Sequence, residues 1–117
     1  MSYLKFYKEE RKLYHKEFYD IILTKDEVFK IVKKLSRHFK IKQPTTSLKY
    51  SMDRGLAKLN TNHINLSKTP SLGLLIHELA HIHNYQKNIN WFHNKKLMKT
   101  IKRMMKYCMK KNYWRDG

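Results

Sequence analysis

The stretch Thr69-Pro70-Ser71-Leu72-Gly73-Leu74-Leu75-Ile76-His77-Glu78-Leu79-Ala80-His81 sets the frame for reading the rest of the chain. Thr69 followed by Pro70 marks a helix start, a capping hydroxyl and then proline in the first turn. The pattern predicts a helix from about Pro70 to Gln86. At about 100° per residue, Leu72, Leu75, Ile76 and Leu79 gather on one side. His77, Glu78 and His81 fall on the other, beside Leu74 and Tyr85. Histidines four apart on a helix stand one turn above each other, about 40° apart in projection, so both imidazoles can reach one metal ion. Glu78 then stands near the ion without having to ligate it. There it can take a proton from zinc-bound water and pass it to a leaving amine. Zinc lowers the pKa of such a water towards ~7. The competing reading is two surface histidines on an ordinary helix; the segregation of the polar trio onto one face argues against it.

A catalytic zinc site commonly has three protein ligands and a position left open. Downstream of Glu78 the only acidic side chain is Asp116, so a glutamate ligand from a following helix is excluded. His83 projects onto the Leu72/Leu79 side and reads as a core or rim histidine. His93 follows a loop around Asn88 and Asn90 and opens a last helix over about Asn94 to Asn112. Extrapolating that helix backwards puts His93 on its core-facing side, which makes it the predicted third ligand.

The remaining elements follow from period and capping. Tyr3 to Tyr19 is aromatic and charged, with a poor helical period; residues 1–22 read as an N-terminal helical extension. Thr24 with Glu27 forms a capping box, after which Val28, Ile31, Val32, Leu35 and Phe39 share one helical face. Lys30, Lys33, Lys34, Arg37 and Lys40 take the other face. Ile41 to Ser67 reads as three short strands, with turns at Met52–Gly55 and Asn60–Asn62. In the last helix Leu97, Ile101, Met104, Met105 and Cys108 form an apolar stripe, opposite Lys95, Lys99, Lys102, Lys106 and Lys110. The expectation is one α+β domain over residues 1–117, with a small antiparallel three-stranded sheet packed against the histidine helix and its flanking helices.

Composition narrows the partners. The net charge is +17, from 26 basic and 9 acidic side chains, which points to a polyanion. Nucleic acid is the first candidate, an anionic membrane surface the second, and a basic surface that only aids solubility the plain alternative. Cys108 is the only cysteine, so an internal disulfide and a cysteine zinc ribbon are both excluded. The first ten residues lack the apolar segment of a secretory signal, and no apolar run reaches membrane-spanning length. A cytoplasmic location is expected.

The segment His77-Glu78-Leu79-Ala80-His81, a loop with Trp91 and Phe92, and then His93-Asn94-Lys95-Lys96-Leu97 resembles the SprT-like zinc peptidases. In that family a third histidine opens the following helix, with an apolar residue four positions later; His93 and Leu97 take those places. The resemblance covers roughly Val28 to Tyr107 and is specific around the metal motif. It implies a minimal zincin fold, bound zinc, peptide-bond hydrolysis and, for the family's best-understood members, degradation of DNA-bound proteins. Asn94 stands where family members often carry glycine, and the zinc ribbon of many members has no counterpart here. From the resemblance, the strand at His63–Ser67 is the candidate to pair with an extended peptide, bringing His63, Ile64 and Asn65 to the substrate. His63 has a second reading as an ordinary surface histidine, and Tyr85, which projects near the site, joins the substrate-binding candidates with no oxyanion role assigned to it. A function of another class stays open: a basic nucleic-acid-binding protein whose zinc site is structural or degenerate.

Overall fold

The computed structural model describes residues 3–12, 21–51 and 54–111. The element order is α1 (Tyr3–Lys12), α2 (Lys25–His38), β1 (Thr45–Tyr50), β2 (Leu56–Lys58), β3 (His63–Ser67), α3 (Leu72–Gln86) and α4 (Lys95–Lys111). The expected turn at Met52 and Asp53, the Leu13–Tyr19 half of the first segment, and Asn112 lie outside the described residues.

Local chemistry sets the helix ends. Thr24 Oγ1 accepts from the Glu27 N–H and Glu27 Oε1 accepts from the Thr24 N–H, at 3.1 and 2.8 Å, so the capping box forms as read. At the other end of α2, Lys40 takes a left-handed φ of 55°, and the Lys40 and Ile41 N–H groups donate to the Arg37 and Ser36 carbonyls. The same closure ends α3, where Asn88 has φ 58° and Asn88 and Ile89 donate to Tyr85 and Asn84. Both are Schellman closures, which satisfy carbonyls that the helix leaves without partners. The start of α3 differs from expectation. Ser71, not Thr69, is the cap, its Oγ accepting from the Leu74 N–H at 3.1 Å. Pro70 stays outside the helix because its carbonyl accepts from the Leu23 N–H, while Ile22 and Ser71 form an isolated bridge.

The sheet is mixed, not antiparallel. Its order is β1-β3-β2, with β1 parallel to β3 and β2 antiparallel to it. Burial explains the order. The central place goes to β3, where Ile64, Asn65, Leu66 and Ser67 are all buried. The three residues of β2 include exposed Leu56 and Lys58, which suits an edge. The β2–β3 hairpin turns through Asn62, at a left-handed φ of 51°, one of the residues that tolerates it best.

Helix α3 packs on β2 and β3 with one side and on α4 with another. Leu72, Leu75, Ile76 and Leu79 join Val28, Ile31, Leu35, Ile64, Leu66, Leu97, Ile101 and Met104 in one core. Gln86, at the end of α3, accepts from the Lys42 N–H and donates to the Lys42 carbonyl and to Asn62 Oδ1. That link fixes the helix against the sheet. No described helix is long and apolar enough to cross a membrane.

Candidate metal centre

His77 and His81 stand one turn apart on α3, and the α3–α4 loop brings His93 to them. His77 Nε2 lies 3.2 Å from His93 Nε2 and 3.3 Å from His81 Nε2. One ligand atom from each falls within 4.8 Å of the others, the group that could hold a metal among the described residues. Nitrogens bound tetrahedrally at 2.0–2.1 Å from zinc would lie about 3.3 Å from each other. The two spacings from His77 match that value, and the third pair falls within the 4.8 Å bound of a group that could hold a metal.

The hydrogen positions point the same way. His81 Nδ1 faces the Trp91 carbonyl oxygen, which can only accept, so Nδ1 carries the hydrogen. Burial, with the charges of His77 and His93, lowers the His81 pKa to about 4, against a smaller raising effect from the Trp91 carbonyl. The ring is neutral at pH 7, and its Nε2 turns a bare lone pair towards the other two imidazoles. His93 is also lowered, by burial and then by His77, with Glu10 opposing. For His77 burial pulls downwards, but the hydrogen bond and charge of Glu10, with the charge of Glu78, outweigh it and the net direction is up.

These groups line a cleft of about 280 Å³. Its floor is His77, Glu78, His81 and His93, and its wall is Gly55, Leu56, Ala57 and Leu59, from β2 and its flanks. The Ala57 backbone N–H faces the Glu78 carboxylate. Burial raises its pKa, His77 and the Ala57 N–H oppose the rise, and Glu10 adds to it. In a chain of net charge +17, the buried acids among the described residues are Glu10 and Glu78, and both stand at the histidine trio. A buried carboxylate is costly without a compensating charge. Two of them around one imidazole suit a dication.

His77, Glu78, His81 and His93 thus come together as read, and His83 stays apart. It is buried, with Nδ1 2.8 Å from Asn84 Oδ1 and its ring edge-on to Phe39. Tyr85 is not in the cleft lining; it packs edge-on to Trp91 with ring centroids 5.1 Å apart. The expectation that β3 offers a free edge is corrected: both its edges are taken, by β1 and β2. The His63 ring bonds Thr45 Oγ1, Ser47 Oγ and Asn65 Oδ1, at 2.6, 3.0 and 3.0 Å, and Ile64 is in the core. The strand that borders the cleft is β2.

Sequence reading misses Glu10 and Gly55. Glu10 Oε2 lies 2.8 Å from His77 Nδ1 across 67 positions of sequence, and the weak period of the first segment carries no sign of it. Gly55 reads in the sequence only as a turn residue. Among the lysine faces, Lys33, Arg37, Lys95, Lys99, Lys102, Lys106 and Lys110 are exposed, and Lys30 and Lys34 are half-buried. No family model, curated protein or solved structure matches this chain.

Proposed function

We propose that this chain is a zinc-dependent metallopeptidase that hydrolyses peptide bonds of an extended substrate laid along β2. The observation that carries the reading is the convergence of three imidazole nitrogens, spaced 3.2 and 3.3 Å from the central one, on a cleft floored also by a buried carboxylate. His77, His81 and His93 would hold the ion, and bound zinc would acidify a water and polarise a scissile carbonyl. Glu78 is the proton carrier. Buried in the cleft and facing the Ala57 N–H, it accepts a proton from the attacking water and delivers it to the leaving amine. A carboxyl whose pKa is raised by burial is better matched to that exchange near neutral pH. Pairing to β3 occupies one edge of β2, and the other faces the cleft, where an extended peptide can add as a further strand. The resemblance to SprT-like peptidases supports the same chemistry as far as its motif reaches. For the lysine faces of α2 and α4 the partner we propose is nucleic acid, which makes DNA-associated proteins the substrate class.

Metal analysis and casein cleavage on the wild type and on Glu78→Gln test this. One zinc per chain is expected in both proteins, with hydrolysis in the variant reduced by ~10²–10⁴-fold, the usual weight of a proton-transfer group. Full activity in the variant defeats the role given to Glu78. Four protein ligands at the ion would mark a closed structural site and defeat the peptidase reading.

A further inference from the structure

Helix α1 supplies two side chains to the metal centre from one of its faces. Phe6 and Glu10 are one turn apart and both buried. The Phe6 ring stands edge-on to His77 and His93, with centroids 5.9 and 5.1 Å apart. Glu10 Oε2 lies 2.8 Å from His77 Nδ1, with the two side chains 4% and 5% exposed. An ionised carboxylate only accepts, so His77 Nδ1 carries the hydrogen and Nε2 is left as the ligand atom. The bond leaves Glu10 on the Nδ1 side of the ring, away from Nε2 and the other two imidazoles. Glu10 therefore orients a ligand and is not one itself.

We propose that α1 is a clamp on the metal centre: Glu10 fixes the tautomer and ring orientation of His77, Phe6 braces His77 and His93, and metal affinity depends on this helix. The inference rests on the metal-site reading above. A carboxylate on the far nitrogen also makes an imidazole a stronger donor to a metal, and loss of such a partner commonly costs about 10–100-fold in affinity. Linkage adds a second consequence. If docked α1 raises metal affinity, bound metal must stabilise docked α1 by the same factor. The alternative is a plain structural ion pair that holds α1 to the core. It predicts a loss of fold stability on removing Glu10, but no metal-dependent protection of α1.

The experiment uses the full chain and zinc alone. Zinc affinity is measured by chelator competition for wild type, Glu10→Ala, Glu10→Gln and His77→Ala, and amide exchange across α1 is followed with and without zinc. Glu10→Ala is expected to weaken zinc binding about 10–100-fold. Glu10→Gln should weaken it by a smaller factor, because its amide oxygen still accepts from Nδ1–H but carries no charge. Zinc should slow exchange in α1 of the wild type and do so less in Glu10→Gln. If Glu10→Ala does not fold, Glu10→Gln decides. Wild-type affinity in Glu10→Gln, or α1 exchange indifferent to zinc, overturns the clamp. Loss of zinc in His77→Ala alongside either result would leave the metal site standing, whereas a wild type that binds no zinc ends both readings.

Discussion

At Gly55 the wall of the cleft has no room for a side chain. A Cβ there would lie 2.9 Å from Glu78 Cγ, 3.2 Å from Oε2 and 3.3 Å from Cδ. Its backbone φ is not left-handed, so what requires glycine is the close approach of strand and carboxylate. The atoms that would have to give belong to the flexible Glu78 side chain. The fold can therefore absorb an added methyl, but the carboxylate cannot keep its place beside His77 and the Ala57 N–H. Gly55→Ala is expected to keep bound zinc and the unfolding midpoint of the wild type while lowering kcat/KM by about 10²-fold, the scale of a 1 Å misplacement of a reacting group. Zinc content, a denaturant melt and peptide cleavage on the same preparation check it. Undiminished cleavage would mean that Glu78 works from another position.

At the scale of elements, the third histidine depends on how α3, the loop after it and α4 are tied together. Asn84 is fully buried at that junction. Its Nδ2 donates to the Asn90 carbonyl at 2.8 Å, and its Oδ1 accepts from Thr100 Oγ1 at 2.6 Å. One side chain thus joins both helices and the loop that carries the Trp91 carbonyl and His93. Asn84→Ala removes both bonds; Thr100 Oγ1 keeps the Lys96 carbonyl at 3.3 Å and Asn90 is exposed, so the cost is that of the bonds themselves, about 0.5–1.5 kcal/mol each. The expected result is a lower urea midpoint together with weaker zinc binding, and an unchanged midpoint would remove the junction from the account of His93. The helices were legible because their signals are local. Capping at Thr24 and Glu27, the apolar stripe Val28 to Phe39, and the stripe Leu97 to Cys108 each lie within one helix or its cap. The helix start at Ser71 was not, because the carbonyl that keeps Pro70 out of the helix is engaged by Leu23, 47 residues upstream. Sheet order escapes the sequence for the same reason. Sequential hairpins are the usual outcome, and nothing within Thr45–Tyr50 shows that it pairs in parallel with His63–Ser67 across the intervening strand. Of the three histidines that could hold a metal, His77 and His81 are legible from their spacing on one helix, and His93 by elimination. Glu10 comes from an element whose own pattern carries no trace of its destination.

Over the whole molecule the charge is the dominant feature, and its placement bears on the substrate class proposed above. Lysines 95, 99, 102, 106 and 110 are exposed along α4, and Lys33 and Arg37 along α2. The two helices meet near their C-terminal ends, where His38 stacks on Tyr107 with ring centroids 4.0 Å apart and the Arg103 guanidinium lies 5.3 Å from the Phe39 ring centroid. The basic faces are thus carried by helices that touch, while the buried acids of the described residues are withdrawn to the histidine trio. Lysine contacts phosphates and rarely reads bases, so binding to DNA should be largely indifferent to sequence. Affinity should fall with salt by about 0.9 log unit per tenfold increase for each phosphate neutralised on duplex DNA. Under the proposed function a proteolytic consequence follows from co-localisation: a DNA-bound peptidase would meet DNA-bound proteins at a raised effective concentration, with no new contact at the histidine trio. DNA is therefore expected to stimulate cleavage of a DNA-binding protein more than cleavage of casein. Replacing Lys99, Lys102 and Lys106 together by glutamate should abolish that stimulation and flatten the salt dependence, by about 0.9 in slope for each phosphate no longer neutralised. Cleavage assays with and without duplex DNA, and binding titrations across a salt series, measure both. If the triple variant keeps the wild-type slope and stimulation, these lysines are solvated surface, and the substrate class must be sought at the cleft between β2 and the histidines, not in the charge of the chain.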